Sequence, residues 1–211
     1  MTITNSTIAR NSVAGTVLGG SRLDHAGGIL NRDRMTVENS TISDNKVSRY
    51  FVYAGGIGNF GSLTITNSTI SGNRTLGSLS NTGGGIQNGS FYFPDRNTGT
   101  MTIQNSTISG NKAGAKGGYG GGGPVQGNYG GGGGIANFGP ATIENSTISG
   151  NKANGGFSRS GGIMNGGYGY YESAPLTITN GTISGNAAGA KYGYGFGGGI
   201  QNTDPSRSIG T

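Results

Sequence analysis

The chain has 211 residues, of which 48 are glycine and only 31% are hydrophobic, so it lacks the apolar side chains of a compact multilayer globule. It contains no cysteine, which excludes a disulfide framework and a thiolate metal site, and its formal net charge is +6. Low charge density and a sharp sequence period also argue against disorder. We find no run of apolar residues long enough for a membrane span and no signal peptide.

Two short sequence units alternate along the whole chain. The longer unit is typified by LTITNSTISGN at residues 63–73, and the shorter one reads GGI-x-N. Strict alternation of two units predicts a single repeat architecture, which we assign to one domain covering residues 1–211. The copies of the longer unit occupy residues 1–11, 35–45, 63–73, 101–111, 141–151 and 176–186.

Each longer unit reads as two strands separated by a turn. Leu63, Ile65 and Asn67 alternate along one strand face, and Ile70 falls out of this alternation. A turn at Asn67 restores the pattern, because Asn tolerates the left-handed backbone that such a turn needs. Since GGI-x-N supplies a third strand, the sequence predicts an all-β solenoid, a parallel β-helix of about six coils with three short strands per coil.

Stacked coils place equivalent residues in columns with a spacing of about 4.8 Å. We expect isoleucines to fill the interior and three columns of asparagine to hydrogen-bond along the stack. The predicted asparagine columns are Asn5/Asn39/Asn67/Asn105/Asn145/Asn180, Asn11/Asn45/Asn73/Asn111/Asn151/Asn186 and Asn31/Asn59/Asn88/Asn137/Asn165/Asn202.

Segments of variable length connect the units. Residues 114–134 form a glycine- and tyrosine-rich corner insertion, which we predict to be a mobile loop. Aromatic residues at other corners, such as Tyr53, are expected to fold back over the coil. The chain starts and stops within a coil, so we interpret it as a window of a longer array, with head-to-tail self-association through uncapped ends as the alternative.

The repeats resemble those of bacterial surface proteins, namely the polymorphic outer membrane proteins and the passengers of autotransporter adhesins. The resemblance rests on GGI-x-N alternating with NSTISGN over nearly the whole chain. It implies a right-handed parallel β-helix, an extracellular or cell-surface location, and a structural or adhesive role in contact with glycans, other surface material or further copies. The same coil also serves polysaccharide lyases and hydrolases, so a carbohydrate-active enzyme is an alternative.

Acidic side chains give little support to the enzyme alternative. Glu38 and Glu144 share an outward column but lie three coils apart, about 14 Å, whereas paired catalytic carboxylates lie about 5–9.5 Å apart. Asp95 and Glu172 lie at corners, where an acid can be either structural or catalytic. His25 is the only histidine, and the sequence marks no cysteine or serine nucleophile that it could activate. We therefore predict a protein that is not an enzyme and needs no metal or cofactor.

One basic residue follows the SGN-type turn in four consecutive copies, giving the column Lys46, Arg74, Lys112 and Lys152. A line of cations on a basic chain favours binding of an acidic polysaccharide, and nucleic acid is the partner that we expect least. The alternative interpretation is a solvated stripe that keeps the coils apart from other chains.

Outward hydroxyl columns suggest a further alternative, an ice-binding protein. The candidate residues are Thr64, Thr102 and Thr142 in one column and Thr69, Thr107 and Thr147 in another. A neighbouring column with glutamate and glutamine breaks one face, and Thr is in any case a good exposed strand residue. The NST tripeptides match glycosylation acceptors, and we interpret them as structural.

Overall fold

The computed structural model describes residues 1–14, 26–48, 51–77, 80–89, 99–115, 129–166 and 174–202, and all statements below concern these residues. Their strands pair in parallel, and every coil passes through the same sheets in the same order. Because each sheet receives a strand from every coil, the chain winds as a parallel β-helix of about six coils, which confirms the predicted fold class. None of these residues lies in a helix that is long and apolar enough to cross a membrane.

The three predicted strands of each coil form three sheets, A, B and D. Sheet A contains Thr2–Thr4, Arg34–Glu38, Ser62–Thr66, Thr100–Gln104, Ala141–Glu144 and Leu176–Thr179. Sheet B contains Thr7–Ala9, Thr41–Ser43, Thr69–Ser71, Thr107–Ser109, Thr147–Ser149 and Thr182–Ser184. Sheet D contains Ile29–Asn31, Ile57–Asn59, Ile86–Asn88, Ile135–Asn137, Ile163–Asn165 and Ile200–Asn202.

A fourth sheet, C, lies between sheets B and D and adds to the predicted coil. Its first half contains Ser12–Ala14, Lys46–Ser48, Arg74–Gly77 and Lys112–Ala115, and its second half contains Phe51–Ala54, Ser80–Gly83 and Tyr129–Gly132. Two longer strands, Lys152–Ser160 and Ala187–Gly197, continue through both halves. The ends of the predicted 114–134 insertion therefore belong to strands, and residues 116–128 lie outside the described part of the chain.

Isoleucine columns from sheets A, B and D fill the interior as predicted. Ile65, Ile70 and Ile86 are each 0% exposed, and their equivalents in neighbouring coils join the same cluster. Burying an aliphatic side chain of this size contributes about 1.5–3 kcal/mol. Sheet A adds a second buried row, so the apolar interior is two rows wide at sheet A and one row wide at sheets B and D; the second row contains Met35, Leu63, Met101 and Ala141.

The predicted turn at Asn67 is confirmed, but the direction of its side chain is not. Asn67 has φ 48, and its five equivalents have similar positive values. The left-handed turn carries the amide outward, so the expected inward column of Asn39, Asn67 and Asn105 is wrong. Ser68 takes the interior position instead, 4% exposed, and its backbone N–H donates to Ser106 Oγ at 3.1 Å.

The other two asparagine columns form continuous buried ladders. Asn73 Nδ2 donates to Asn111 Oδ1 at 3.0 Å, and Asn111 Nδ2 donates to Asn151 Oδ1 at 3.0 Å. Asn59 Nδ2 likewise donates to Asn88 Oδ1 at 2.7 Å in sheet D. Asn59, Asn73 and Asn111 also donate to backbone carbonyls, so these polar groups are buried with their hydrogen bonds made.

One corner aromatic residue folds back over the coil as expected. Tyr53 is 2% exposed and packs edge-on against Phe60, with ring centroids 5.7 Å apart. Edge-to-face packing of this kind suits the charge distribution of aromatic rings. The prediction for the remaining corner aromatics concerns side chains outside the described part of the chain.

Candidate functional site

The four predicted cations occupy one line on sheet C, which we call the basic column. Lys46 pairs in register with Arg74, Arg74 with Lys112, and Lys112 with Lys152. Lys112 is partly exposed and the other three are exposed. Ser12 precedes the column in register and Ala187 follows it, so the line of charge is four rungs long.

The residue after each cation fixes its outward direction. Val47, Thr75, Ala113 and Ala153 are 0% exposed, so the alternation of the strand turns the cations to the opposite face. The residue before each cation is a ladder asparagine, and its carbonyl holds the next coil in place. Arg74 N–H donates to the Asn45 carbonyl and Lys112 N–H to the Asn73 carbonyl, both at 2.8 Å.

In four of the GGI units, the first glycine packs against the backbone of a cationic residue. A Cβ placed on Gly84 would lie 2.7 Å from Lys112 N, and one placed on Gly133 would lie 2.6 Å from Lys152 N. Real Cβ atoms do not approach so closely, so only glycine fits at these positions. The two repeat units thus meet at this point, and the strand that carries the cations is held from both sides.

The charges of the basic column are not neutralised by ion pairs within the described residues. Asp44, two residues before Lys46, is exposed on the adjoining corner. Two unit charges one rung apart repel by up to about 0.9 kcal/mol in water. Like charges opposite each other in a sheet are destabilising, so the column costs the free protein some stability.

A second outward column flanks the basic one and was not predicted. It contains Ser48, Leu76, Gly114 and Asn154, two residues beyond the respective cations. Sequence reasoning missed it because no strand was assigned after the SGN turn. The alternation in KVS, RTL, KAG and KAN is the signal that could have revealed it.

Sheet C also carries a register line that contains aromatic residues. The line comprises Phe51, Ser80, Tyr129, Phe157 and Tyr194. Phe157 is five residues from Lys152 on the same strand, roughly 16 Å along an extended backbone. A polymer that follows the basic column therefore runs at a distance from this line.

The predicted threonine columns lie on two different sheets. Thr64, Thr102 and Thr142 are in register on sheet A, beside a column that includes Glu38, Gln104 and Glu144. Thr69, Thr107 and Thr147 are in register on sheet B, beside a column of Ser71, Ser109 and Ser149. All six threonines are partly exposed. Of these two faces, the sheet A face carries glutamates next to its threonine column, whereas the neighbouring columns on sheet B contain only threonine and serine in these coils.

The acidic residues of the described ranges do not assemble into a cluster. Glu38 and Glu144 occupy the same register line three rungs apart, as predicted, and Gln104 Nε2 donates to Glu144 Oε2 at 3.0 Å. Within the described ranges, no three histidine or acidic residues come together in a way that could hold a metal ion. Asp95, Glu172 and His25 lie outside those ranges.

Comparison with known proteins adds no assignment to this geometry. No protein-family model matches the chain, and no curated protein and no solved structure matches it. The surface columns of the solenoid are therefore the features of this protein that bear on its function.

Proposed function

We propose that this protein is a non-enzymatic, rod-shaped structural or adhesive protein of the bacterial surface or the extracellular space, and that its basic column binds acidic polysaccharide. The observation that carries the proposal is the exact register of Lys46, Arg74, Lys112 and Lys152 on adjacent rungs. A rigid solenoid holds the four charges in line, so a polyanion meets a preorganised site. The surface location follows from the resemblance of the repeats.

The energetics favour a binding site over a stripe that only keeps the protein in solution. Surfaces that serve solubility mix both signs of charge, whereas this column repeats one sign at the shortest inter-strand spacing. An arrangement that lowers the stability of the free protein is typical of a functional site. A bound polyanion would remove the repulsion between Arg74 and Lys112 and between their neighbours.

Retention on a heparin column tests the proposal. The double variant Lys112→Gln, Lys152→Gln is expected to elute at clearly lower salt than the wild type, since it removes two of the four cations. The matched control is Arg32→Gln, Arg34→Gln, which changes the net charge equally at two exposed positions, one between sheets D and A and one at the start of a sheet A strand. Equal losses of retention in both variants would mean that only net charge matters and would reject the site.

A second candidate function, ice binding, rests on the face of sheet B. Thr107 and Ser109 continue in register through Thr147 and Ser149, so stiff, β-branched hydroxyl side chains repeat at a constant interval. Thermal hysteresis measured on the wild type tests this candidate. We expect Thr107→Lys to abolish it and Thr102→Lys on sheet A to leave it unchanged, and a wild type without hysteresis would end the proposal.

Self-association through the first and last coils stays a separate prediction. It would make the partner of this chain another copy of itself. Electron microscopy of the purified protein distinguishes the two cases, because head-to-tail association produces filaments whose length grows with protein concentration. Rods of a single constant length would reject self-association and leave polysaccharide binding as the proposed role.

A further inference from the structure

We infer that the basic column takes one linear polyuronate chain that lies parallel to the solenoid axis, with a footprint of four sugar units. This inference rests on the proposed function and specifies its ligand. Each cation of the column belongs to a different coil, so a chain that contacts all four must run across the coils. A chain that ran along a strand would meet only one cation.

The spacing of the charges defines the chemical class. Neighbouring cations stand one rung apart, about 4.8 Å at the backbone, and the whole column spans about 14 Å. In a polyuronate every sugar ring carries one carboxylate, and one ring advances an extended chain by nearly one rung. The four-carbon stems of the lysines are flexible and absorb the remaining mismatch between carboxylates and ammonium groups.

The types of side chain at the column also suit carboxylates and sugars. Arg74, second in the line, can hold a carboxylate through two parallel hydrogen bonds, whereas the lysines act as point charges. The flanking column contributes Ser48 and Asn154, which can exchange hydrogen bonds with sugar hydroxyls.

Nucleic acid fits the same surface less well. Duplex DNA carries one charge per about 1.7 Å of its axis, on strands that wind away from a straight column. Single strands bind on basic grooves with aromatic side chains on which bases stack. The side chains described in the basic and flanking columns include no aromatic ring, and the aromatic register line lies roughly 16 Å away along the strand.

The two ends of the column set the length of the footprint. Ser12 and Ala187 occupy the next positions in register and carry no charge. Each additional sugar up to four therefore adds one contact with a cation, worth about a two- to five-fold gain in affinity for an exposed ion pair. Sugars beyond the fourth add no further contact with a cation of the column.

Calorimetric titration with oligomannuronates of two to eight units tests this inference. For the wild type, we expect affinity to rise with each sugar up to about four units and then to level off. In Ala187→Lys, which places a fifth cation in register after Lys152, the plateau is expected to move to about five units. Ala187 is exposed, so the substitution requires no repacking.

The matched control is Thr179→Lys, an exposed position in sheet A of the same coil, which adds the same charge away from the column. It is expected to leave the plateau at about four units. If affinity rises without a plateau, or if both variants shift it equally, the axial footprint is wrong although polyanion binding stands. If oligomannuronates fail to bind while single-stranded oligonucleotides bind, the polyuronate assignment is wrong. Failure of all of these polyanions and of heparin would overturn the proposed function itself.

Discussion

Gly85 lies directly against Asn111 across the interior of one coil, where a Cβ on Gly85 would stand 2.9 Å from both Cγ and Nδ2 of the asparagine. The second glycine of GGI and the asparagine of SGN therefore form the two sides of one contact. The same pairing recurs at Gly56 and Asn73. Because each unit needs the other at this distance, the alternation of the two units along the chain has a direct structural cause.

Gly85→Ala is expected to lower the free energy of unfolding by about 2–3 kcal/mol, since the added methyl group overlaps the ladder amide in a close-packed interior. Chemical denaturation followed by circular dichroism measures the change. Gly110→Ala is the control, because Gly110 has φ 61 and a Cβ there would meet nothing within 4 Å. Gly110→Ala should lower the free energy of unfolding only by the cost of placing a Cβ on a left-handed backbone, about 1–2 kcal/mol. Equal losses at the two positions would contradict the contact.

Asn111→Ala should cost about 3 kcal/mol or more, because it leaves the Asn73 amide without its acceptor and the Ile70 carbonyl without its donor. Asn105→Ala removes a side chain of the same type from an exposed turn and should cost about 1–2 kcal/mol through its positive φ alone. Denaturation midpoints of the two variants decide the matter. A smaller loss at Asn111 than at Asn105 would show that the buried ladder contributes little to stability.

Thr75→Val is expected to stabilise the protein by about 1 kcal/mol. The Thr75 hydroxyl is buried on sheet C and has no hydrogen-bond partner among the described residues, and valine keeps its shape. Thr82→Val is the matched control, since the Thr82 hydroxyl donates to the Tyr53 carbonyl at 2.6 Å. It should destabilise the protein, and thermal unfolding of both variants gives the sign directly. Loss of stability in Thr75→Val would contradict the assignment of an unpaired hydroxyl.

Lys112→Gln should raise the melting temperature at low ionic strength, because it relieves repulsion from Arg74 and from Lys152. The gain should fade as salt is added, since screening already weakens the repulsion in the wild type. Affinity for polyanions should fall in the same variant. A variant that binds less tightly and melts no higher at low salt would show that the column is not under electrostatic strain.

The sequence predicts the parts of this fold in which one residue type repeats at one position. Isoleucine at the same positions of every repeat gives the interior, and the regular return of Asn73, Asn59 and their equivalents gives the two buried ladders. The register of the basic column follows from the same periodicity, since a cation comes directly after the last asparagine of the longer unit in four consecutive copies.

Other parts could not be predicted because they depend on backbone geometry. Alternation places Asn67 inward, but its left-handed turn reverses the direction and brings Ser68 to the interior. Sheet C escaped prediction because its strands contain many small residues whose composition resembles that of loops. The contact of Gly84 with the Lys112 backbone involves no side chain, so the sequence shows a recurring glycine but not the residue that it contacts.

Sheet C divides into two halves. The segment between the halves differs in length from coil to coil, but the strands on either side of it keep the same pairing. Residues 78–79 separate the halves in one coil and residues 116–128 in the next, yet Leu76 still pairs with Gly114 and Ser80 with Tyr129. Doubling the length of a flexible connection costs only about 0.6 kcal/mol. We expect an unrelated peptide grafted at this point to leave the hydrogen-bonded rungs intact, so that the solenoid could display foreign epitopes at chosen heights along its axis.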